Sequence, residues 1–402
     1  MLLDNTTQAF LELVKTGLWA DLGSTDLRNH SFASPVDWKV VYRLAEEQSI
    51  VGLVLAGIEQ LRNANLNVNV NHELLLQWIG ETQMLETQNR AMNKFLVNLI
   101  KKLRKEDVYA ILVKGQGVAQ CYEKPLWRTS GDIDLLLDEK NYKKAEKLLV
   151  PLADEDQGEN AVTKHHAVIV NGFDIELHGK MPFLLSKRVD RMIDEVIADT
   201  LKMGGIRVWR VDDTDIYLPN PDNDVIIVWT HMLHHFFIEG VGLRQVCDWC
   251  RLLWTYRDSL NYELLESRIH NMGLMTEWKA FGALAVEYLG MPAEAMPLFN
   301  ANARSTSGRL PLGDDRRRLP KQEGKNVNLS WWDRWRAKRV LARIIKSGNF
   351  GHNKDLSYRA KYTGFTYRLV ALWRRLVDFI GLSQLFPLDA PRFFVTYVFG
   401  KV

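Results

Sequence analysis

The sequence predicts an α+β protein: a small mixed sheet with its own helices, flanked by N- and C-terminal helical regions. Three observations carry that prediction. An apolar, strand-forming run from Thr129 to Leu137 holds Asp132 and Asp134 two residues apart. Two alternating runs, His165 to Val170 and Phe173 to His178, are joined by Asn171-Gly172, the pair that a type I′ hairpin turn prefers. Apolar residues at three- and four-residue spacing run up to about residue 105 and resume after 224, which is the period of helices burying one face.

Residues 1–105 read as an N-terminal helical region, with periodic stretches at Phe10 to Val14, Trp38 to Leu61 and Leu74 to Leu103. The sheet block spans 106–215. Its first strand, Tyr109 to Val113, is β-branched and aromatic and stops at Lys114-Gly115-Gln116-Gly117, after which Val118 to Tyr122 reads as a helix. A strand, a glycine turn and a helix start make an anion site, because glycine lets backbone N–H groups approach a phosphate and the helix dipole favours negative charge there.

In the next strand Asp132 and Asp134 point to one face while Ile133 and Leu135 point to the other. Two carboxylates side by side in a partly buried place repel unless a cation sits between them, so metal-assisted chemistry is the first expectation. The competing reading is a turn or helix-capping pair. A helix from Tyr142 to Leu149 leads to the hairpin. Its two-residue turn sets Ile169 opposite Asp174, Ala167 opposite Glu176 and His165 opposite His178, so the acids and histidines share one side and Phe173, Ile175 and Leu177 take the core side. A further strand covers Ile206 to Val211.

Asn220-Pro221-Asp222-Asn223-Asp224 marks a turn, a boundary and an acid-rich helix start. Residues 216–304 then read as a helical region packed on the sheet block. Residues 305–402 read as a linker, Ser305 to Asn328, followed by a basic, Trp-rich helical region.

The order Lys114-Gly115, Arg128, Gly131-Asp132-Ile133-Asp134 and then a hairpin ending in Ile175-Glu176-Leu177-His178 resembles the nucleotidyltransferase superfamily typified by DNA polymerase β. More narrowly, it is similar to a bacterial, uncharacterised nucleotidyltransferase-like family often associated with capsule and exopolysaccharide gene clusters. The resemblance covers roughly residues 105 to 250. It implies a polymerase β-type core in which Asp132 and Asp134 bind two magnesium (or manganese) ions and Glu176 supplies the third acid, with Asp174 its rival. It also implies that Lys114, Gly115, Gly117 and Arg128 hold the triphosphate. The chain departs from the superfamily at the turn, which has Gly-Gln-Gly in place of Gly-Ser or Gly-Gly and a longer spacer before the acids.

The implied reaction moves a nucleoside monophosphate from a nucleoside triphosphate to a hydroxyl or phosphate on a small molecule, sugar or protein. Polysaccharide-related metabolism is the setting that the resemblance suggests. The alternative is an inactive nucleotide-binding or assembly module on the same fold. Asp132→Asn and Asp134→Asn are expected to abolish metal-dependent turnover with little loss of fold, being near-isosteric.

Composition bounds these readings. The 402 residues suggest two or three domains, and 47% hydrophobic with 25% charged residues is typical of a soluble globular chain. No run of about twenty apolar residues appears, and Met1-Leu2-Leu3-Asp4 opens no signal-like segment, so a cytoplasmic location is expected. Cys247 and Cys250 have Cys-x-x-Cys spacing without a second pair and read as buried thiols on a helix. On that helix the resemblance implies a polar Arg and Asp accompanying the site, matched by Arg244 and Asp248; lying four apart, they read alternatively as an intrahelical ion pair. His231, His234 and His235 read as core or hydrogen-bonding histidines, with the resemblance offering a place lining the active site as the alternative, rather than as principal zinc ligands.

From Arg316 onward nineteen Lys and Arg face five Asp and Glu, a net charge of about +14, so the preceding residues carry about −11. With Trp331, Trp332, Trp335 and Trp373 interleaved, this region is expected to touch a partner or the anionic inner membrane surface peripherally. The alternative is a solvated basic helix packed on the core by its tryptophans. Nucleic acid ranks last, since no reading motif appears.

Overall fold

The structure, a computed structural model, describes residues 4–20, 32, 35–160, 163–202, 204–299, 330–353, 361 and 363–399. The polar stretch Ser305 to Asn328, read as a linker, falls outside the described residues.

Four helices come first: α1 (Asn5–Leu18), α2 (Trp38–Glu47), α3 (Val51–Asn63) and α4 (His72–Lys105). Their starts follow from their caps. Asp4 accepts from the Thr7 amide, Asp37 from those of Lys39 and Val40, and Asn71 from that of Glu73. The span from Trp38 to Leu61, one periodic stretch in sequence, is two helices, because Ser49 takes a positive φ of 55° and the Ile50 amide turns back to the Ala45 carbonyl.

The middle of the chain runs β1 (Ile111–Val113), α5 (Gly115–Ala119), β2 (Asp132–Leu136), α6 (Glu139–Leu149), β3 (Glu155–Asn160), β4 (His165–Val170), β5 (Phe173–His178), α7 (Lys187–Thr200), β6 (Ile206–Val211) and β7 (Thr214–Pro219). The strands form one seven-stranded sheet in the order β3-β4-β5-β2-β1-β7-β6. Two of its pairings, β2 with β5 and β1 with β7, are parallel and the others antiparallel, so the sheet is mixed. The hairpin of β4 and β5 has the register its turn dictates, with Asn171 and Gly172 at φ 52° and 74°.

One sheet face, carrying Leu112, Ile133, Leu135, Val168, Ile175 and Leu177, packs on the C-terminal half of α4 and on Tyr142, Ala145 and Leu149 of α6. The other face contributes Ile111, Val113 and Leu136 to a second, larger core shared with the helical regions. By strand alternation Asp132 and Asp134 stand on this second face beside Leu136.

The helical remainder comprises α8 (Pro221–Ile238), α9 (Leu243–Tyr256), α10 (Tyr262–Met272), α11 (Met275–Leu289), α12 (Trp331–Ser347), α13 (Gly364–Ser383) and α14 (Asp389–Phe399). Asn220 caps α8 through the Asn223 amide, with Pro221 in the first turn where its missing N–H costs nothing. Cys247 and Cys250 are buried thiols on α9. α12 docks by Ala337, Val340, Leu341 and Ile344 rather than by its leading tryptophans, since Trp331 and Trp332 are 65% and 58% exposed. No described helix is long and apolar enough to cross a membrane.

Candidate active site

The parallel pairing of β2 with β5 is what assembles the acids. It sets Asp132 beside Asp174 and Asp134 beside Glu176, joining residues that are over forty positions apart in sequence. Carboxylate oxygens of Asp132, Asp134 and Glu176 lie within 4.8 Å of one another. Asp134 is 1% exposed, while Asp132 and Glu176 remain partly open to solvent. The Lys114 ammonium stands 2.7 Å from Asp134 Oδ1, and His178 Nε2 stands 2.8 Å from the same oxygen. His165 Nε2 and His178 Nε2 also reach Glu176 Oε2, at 3.2 and 3.4 Å.

These contacts shape the charges. The neighbouring Asp134 charge, with burial added, raises the Asp132 carboxyl above its ordinary value. Burial works against ionisation of Glu176, yet hydrogen bonds from His165 and His178 and the charge of Lys114 outweigh it and hold that carboxyl well below the usual range. Burial also disfavours the charged forms of Lys114 and His178, but in both the surrounding carboxylates win and the proton is held more tightly. Asp174, raised by burial and by Glu176 and Asp134, keeps Oδ1 buried without a hydrogen-bond partner.

A cleft opens over Asp132 and Asp134, walled by Lys114, Gly115, Gly131, His231, Arg244 and Phe350. The loop from β1 enters it through two residues with positive φ, Lys114 at 58° and Gly115 at 40°. The helix behind that loop is α5, which has five residues and begins at Gly115, earlier than Val118 as read from sequence. So short a helix has little dipole to offer an anion. Gly117 is buried away from the cleft lining, and a Cβ there would meet Leu218 Cδ2 at 2.7 Å, so its lack of a side chain serves packing.

Arg128, read as a phosphate ligand, also lines the cleft, and its guanidinium is already engaged by protein groups. Its Nε and Nη2 donate to the two oxygens of Asp248 at 2.9 and 2.7 Å, and Nη1 donates to Thr129 O and Ser130 Oγ. Asn89 of α4 fixes the same loop by donating to the Leu126 and Arg128 carbonyls, both at 2.8 Å. Asp248 also accepts from the Tyr122 hydroxyl. The intrahelical Arg244–Asp248 pair read from the i, i+4 spacing is therefore absent: the carboxylate turns to a partner 120 residues away.

Arg244 instead donates Nη1 to Thr129 O, while its Nε is buried without a partner. His231, read mainly as a core or hydrogen-bonding histidine with an active-site position as the alternative, stands at the site: its Nε2 is 3.3 Å from Lys114 Nζ and 3.1 Å from His235 Nε2. Burial first, then the Lys114 charge, holds the His231 imidazole neutral, well below its ordinary pKa. The signal that could have found it was the apolar run of α8 interrupted at His231, whose polar atoms need partners.

The donor set suits a hard divalent cation. Three carboxylates converge, and the ammonium of Lys114 already sits among them as a positive stand-in. The profile of a family described as uncharacterised nucleotidyltransferase matches residues 34–290, well over half of the chain. No curated protein and no solved structure matches it.

Proposed function

The chain belongs to that uncharacterised nucleotidyltransferase family, and from this premise we propose that it transfers a nucleoside monophosphate from a nucleoside triphosphate to a hydroxyl or phosphate acceptor. The observation that carries the reading is the meeting of Asp132, Asp134 and Glu176, drawn from two strands, on one open sheet face. In the proposed reaction an acceptor oxygen bonds to the α-phosphorus, the bond from that phosphorus to the bridging oxygen breaks, and its electron pair leaves with pyrophosphate. Asp132, Asp134 and Glu176 would hold magnesium or manganese. When bound, such ions stabilise the charge that builds on the attacking and leaving oxygens.

The remaining roles fall to the chain's own groups. His165 and His178 keep Glu176 ionised and oriented by their hydrogen bonds. Asp174, whose carboxyl binds a proton more readily than Glu176 does, takes the proton of the acceptor hydroxyl. Lys114 balances the acids until cation and substrate arrive, then turns to the phosphates. The cleft as it stands is about 50 Å³, so a nucleotide enters only when its walls move apart.

The Lys114–Asp134 ion pair favours one second reading, an inactive nucleotide-binding or assembly module whose lysine replaces the metal for good. Incubation with each triphosphate labelled at the α- or the γ-phosphate, magnesium or manganese, and a cell extract separates the two. Transfer of the α-label alone supports the enzyme. Nucleotide binding without transfer of label supports the module, and transfer of the γ-label contradicts both.

For partners, we propose peripheral contact with an anionic membrane surface. Trp331, Trp332 and Trp373 are exposed, the last at 64%, and α13 adds exposed Leu369, Val377 and Ile380 among Arg368, Arg374 and Arg375. Pelleting with anionic vesicles at low salt tests this, and no binding dismisses it.

A further inference from the structure

We propose that Arg244 is a phosphoryl-oxyanion subsite in the wall of the carboxylate cleft. The proposal rests on the nucleotidyl-transfer reading only for the source of the anion.

Arg128 and Arg244 stand side by side on the Thr129 carbonyl, each donating Nη1 to it, at 3.1 and 2.9 Å. Of the carboxylates near the pair, Asp248 is taken by Arg128 through both of its oxygens, and Asp132 acts on Arg244 without a hydrogen bond to it. A guanidinium offers five donors. Arg244 uses one of them, on a neutral carbonyl, and its Nε is buried without a partner. A charge in such surroundings is costly unless an opposite charge joins it, and here the nearest strong neighbour is a second cation. Burial and that neighbour both act against the charge on Arg244, and Asp248 and Asp132 offset them only in part. The protein thus holds a planar fork to which no carboxylate is hydrogen-bonded.

Its position says what the anion is. Arg244 lines the cleft together with Lys114 and Asp132, so an oxyanion held by its fork lies within the space where the phosphates of a bound nucleotide must pass. Phe350 covers the guanidinium, its ring centroid 5.7 Å from Cζ. Arg244 and Arg128 also wall a second cavity of about 150 Å³, lined by Leu53, Ala56, Glu59 and Trp127. Arg244 therefore stands where the two cavities meet. The anion comes either from the polyphosphate of the nucleotide, on the carboxylate side, or from a phosphorylated acceptor seated in the second cavity.

Calorimetric titration of the full chain with inorganic pyrophosphate plus magnesium, and separately with orthophosphate, tests this in wild type, Arg244→Gln and Arg244→Lys. We expect Arg244→Gln to weaken at least one anion by about tenfold or more, and Arg244→Lys to weaken it less, since the charge remains and the fork is lost. Loss confined to pyrophosphate identifies the nucleotide as the source, and loss confined to orthophosphate identifies the acceptor. Both affinities unchanged in a folded Arg244→Gln protein overturn the proposal. Should that variant not fold, the Arg244 Nε–H resonance of nitrogen-labelled wild type, assigned through Arg244→Lys, must shift on adding pyrophosphate or orthophosphate. A resonance unmoved by either refutes the subsite. Arg244-dependent binding with no label transfer would leave the subsite standing and remove the nucleotidyl-transfer reading.

Discussion

Asp132→Asn and Asp134→Asn make the sharpest comparison, because the two acids share a reaction but not an environment. Asp134 is 1% exposed and one of its oxygens receives two cationic donors, Lys114 at 2.7 Å and His178 at 2.8 Å. Hydrogen bonds to charged groups are worth about 1.5–3 kcal/mol each, and loss of a buried ion-pair partner costs about 3–5 kcal/mol. Asp132 and Glu176 stay near the lysine and recover part of this, so Asp134→Asn should cost about 2–3 kcal/mol in the metal-free protein. This revises the expectation that either near-isosteric change spares the fold. Asp132 receives no comparable donor, and repulsion from Asp134 is the largest cause of its raised carboxyl, so Asp132→Asn should be neutral or slightly stabilising. Urea unfolding in a chelator, monitored by tryptophan fluorescence, reads both values. Metal-dependent label transfer should vanish in both variants. Equal destabilisation of the two, or turnover surviving in either, would refute the reasoning.

Other consequences follow from the same contacts. Gly117→Ala places a methyl against Leu218, so it should lower stability by about 1–3 kcal/mol while leaving nucleotide affinity, measured by calorimetry, unchanged. Asp248→Asn uncouples the bidentate partner of buried Arg128 and should cost about 3–5 kcal/mol in the same urea assay. His166 sits between Glu146 and Asp156, 2.7 Å from each; burial lowers its pKa, but those two bonds raise it more. Its folded pKa thus exceeds the unfolded value of about 6.5, so its stabilisation is full below that pH and is lost as pH rises through the folded value. Stability measured from about pH 6 to 9 should fall less steeply in His166→Asn than in wild type.

Local pattern made much of this architecture legible. The alternation in Asp132 to Leu136 and the Asn171-Gly172 turn determine which side chains share a face, and the structure keeps that register residue for residue. The fold class was readable for the same reason, since periods of two and of three to four are properties of short segments. The parallel pairing of β2 with β5 was not readable: it joins strands 42 residues apart through a helix and a further hairpin, and no local signal encodes it. β3 escaped because Glu155 to Asn160 is exposed throughout and carries no apolar alternation. Arg244 and Asp248 show the limit of spacing arguments. Position i, i+4 permits an ion pair, but Arg128 offered the carboxylate a bidentate match from another element. α5 began early because Lys114 and Gly115 accept positive φ and turn the chain at once.

The central claim is that Asp132, Asp134 and Glu176 bind divalent cations for nucleotidyl transfer, and manganese binding read by electron paramagnetic resonance in the presence of a non-hydrolysable triphosphate tests it most directly. About two ions per chain are expected in wild type, with both sites weakened in Asp132→Asn and Glu176→Gln. Manganese uptake that is absent in wild type, or indifferent to those substitutions, would contradict it.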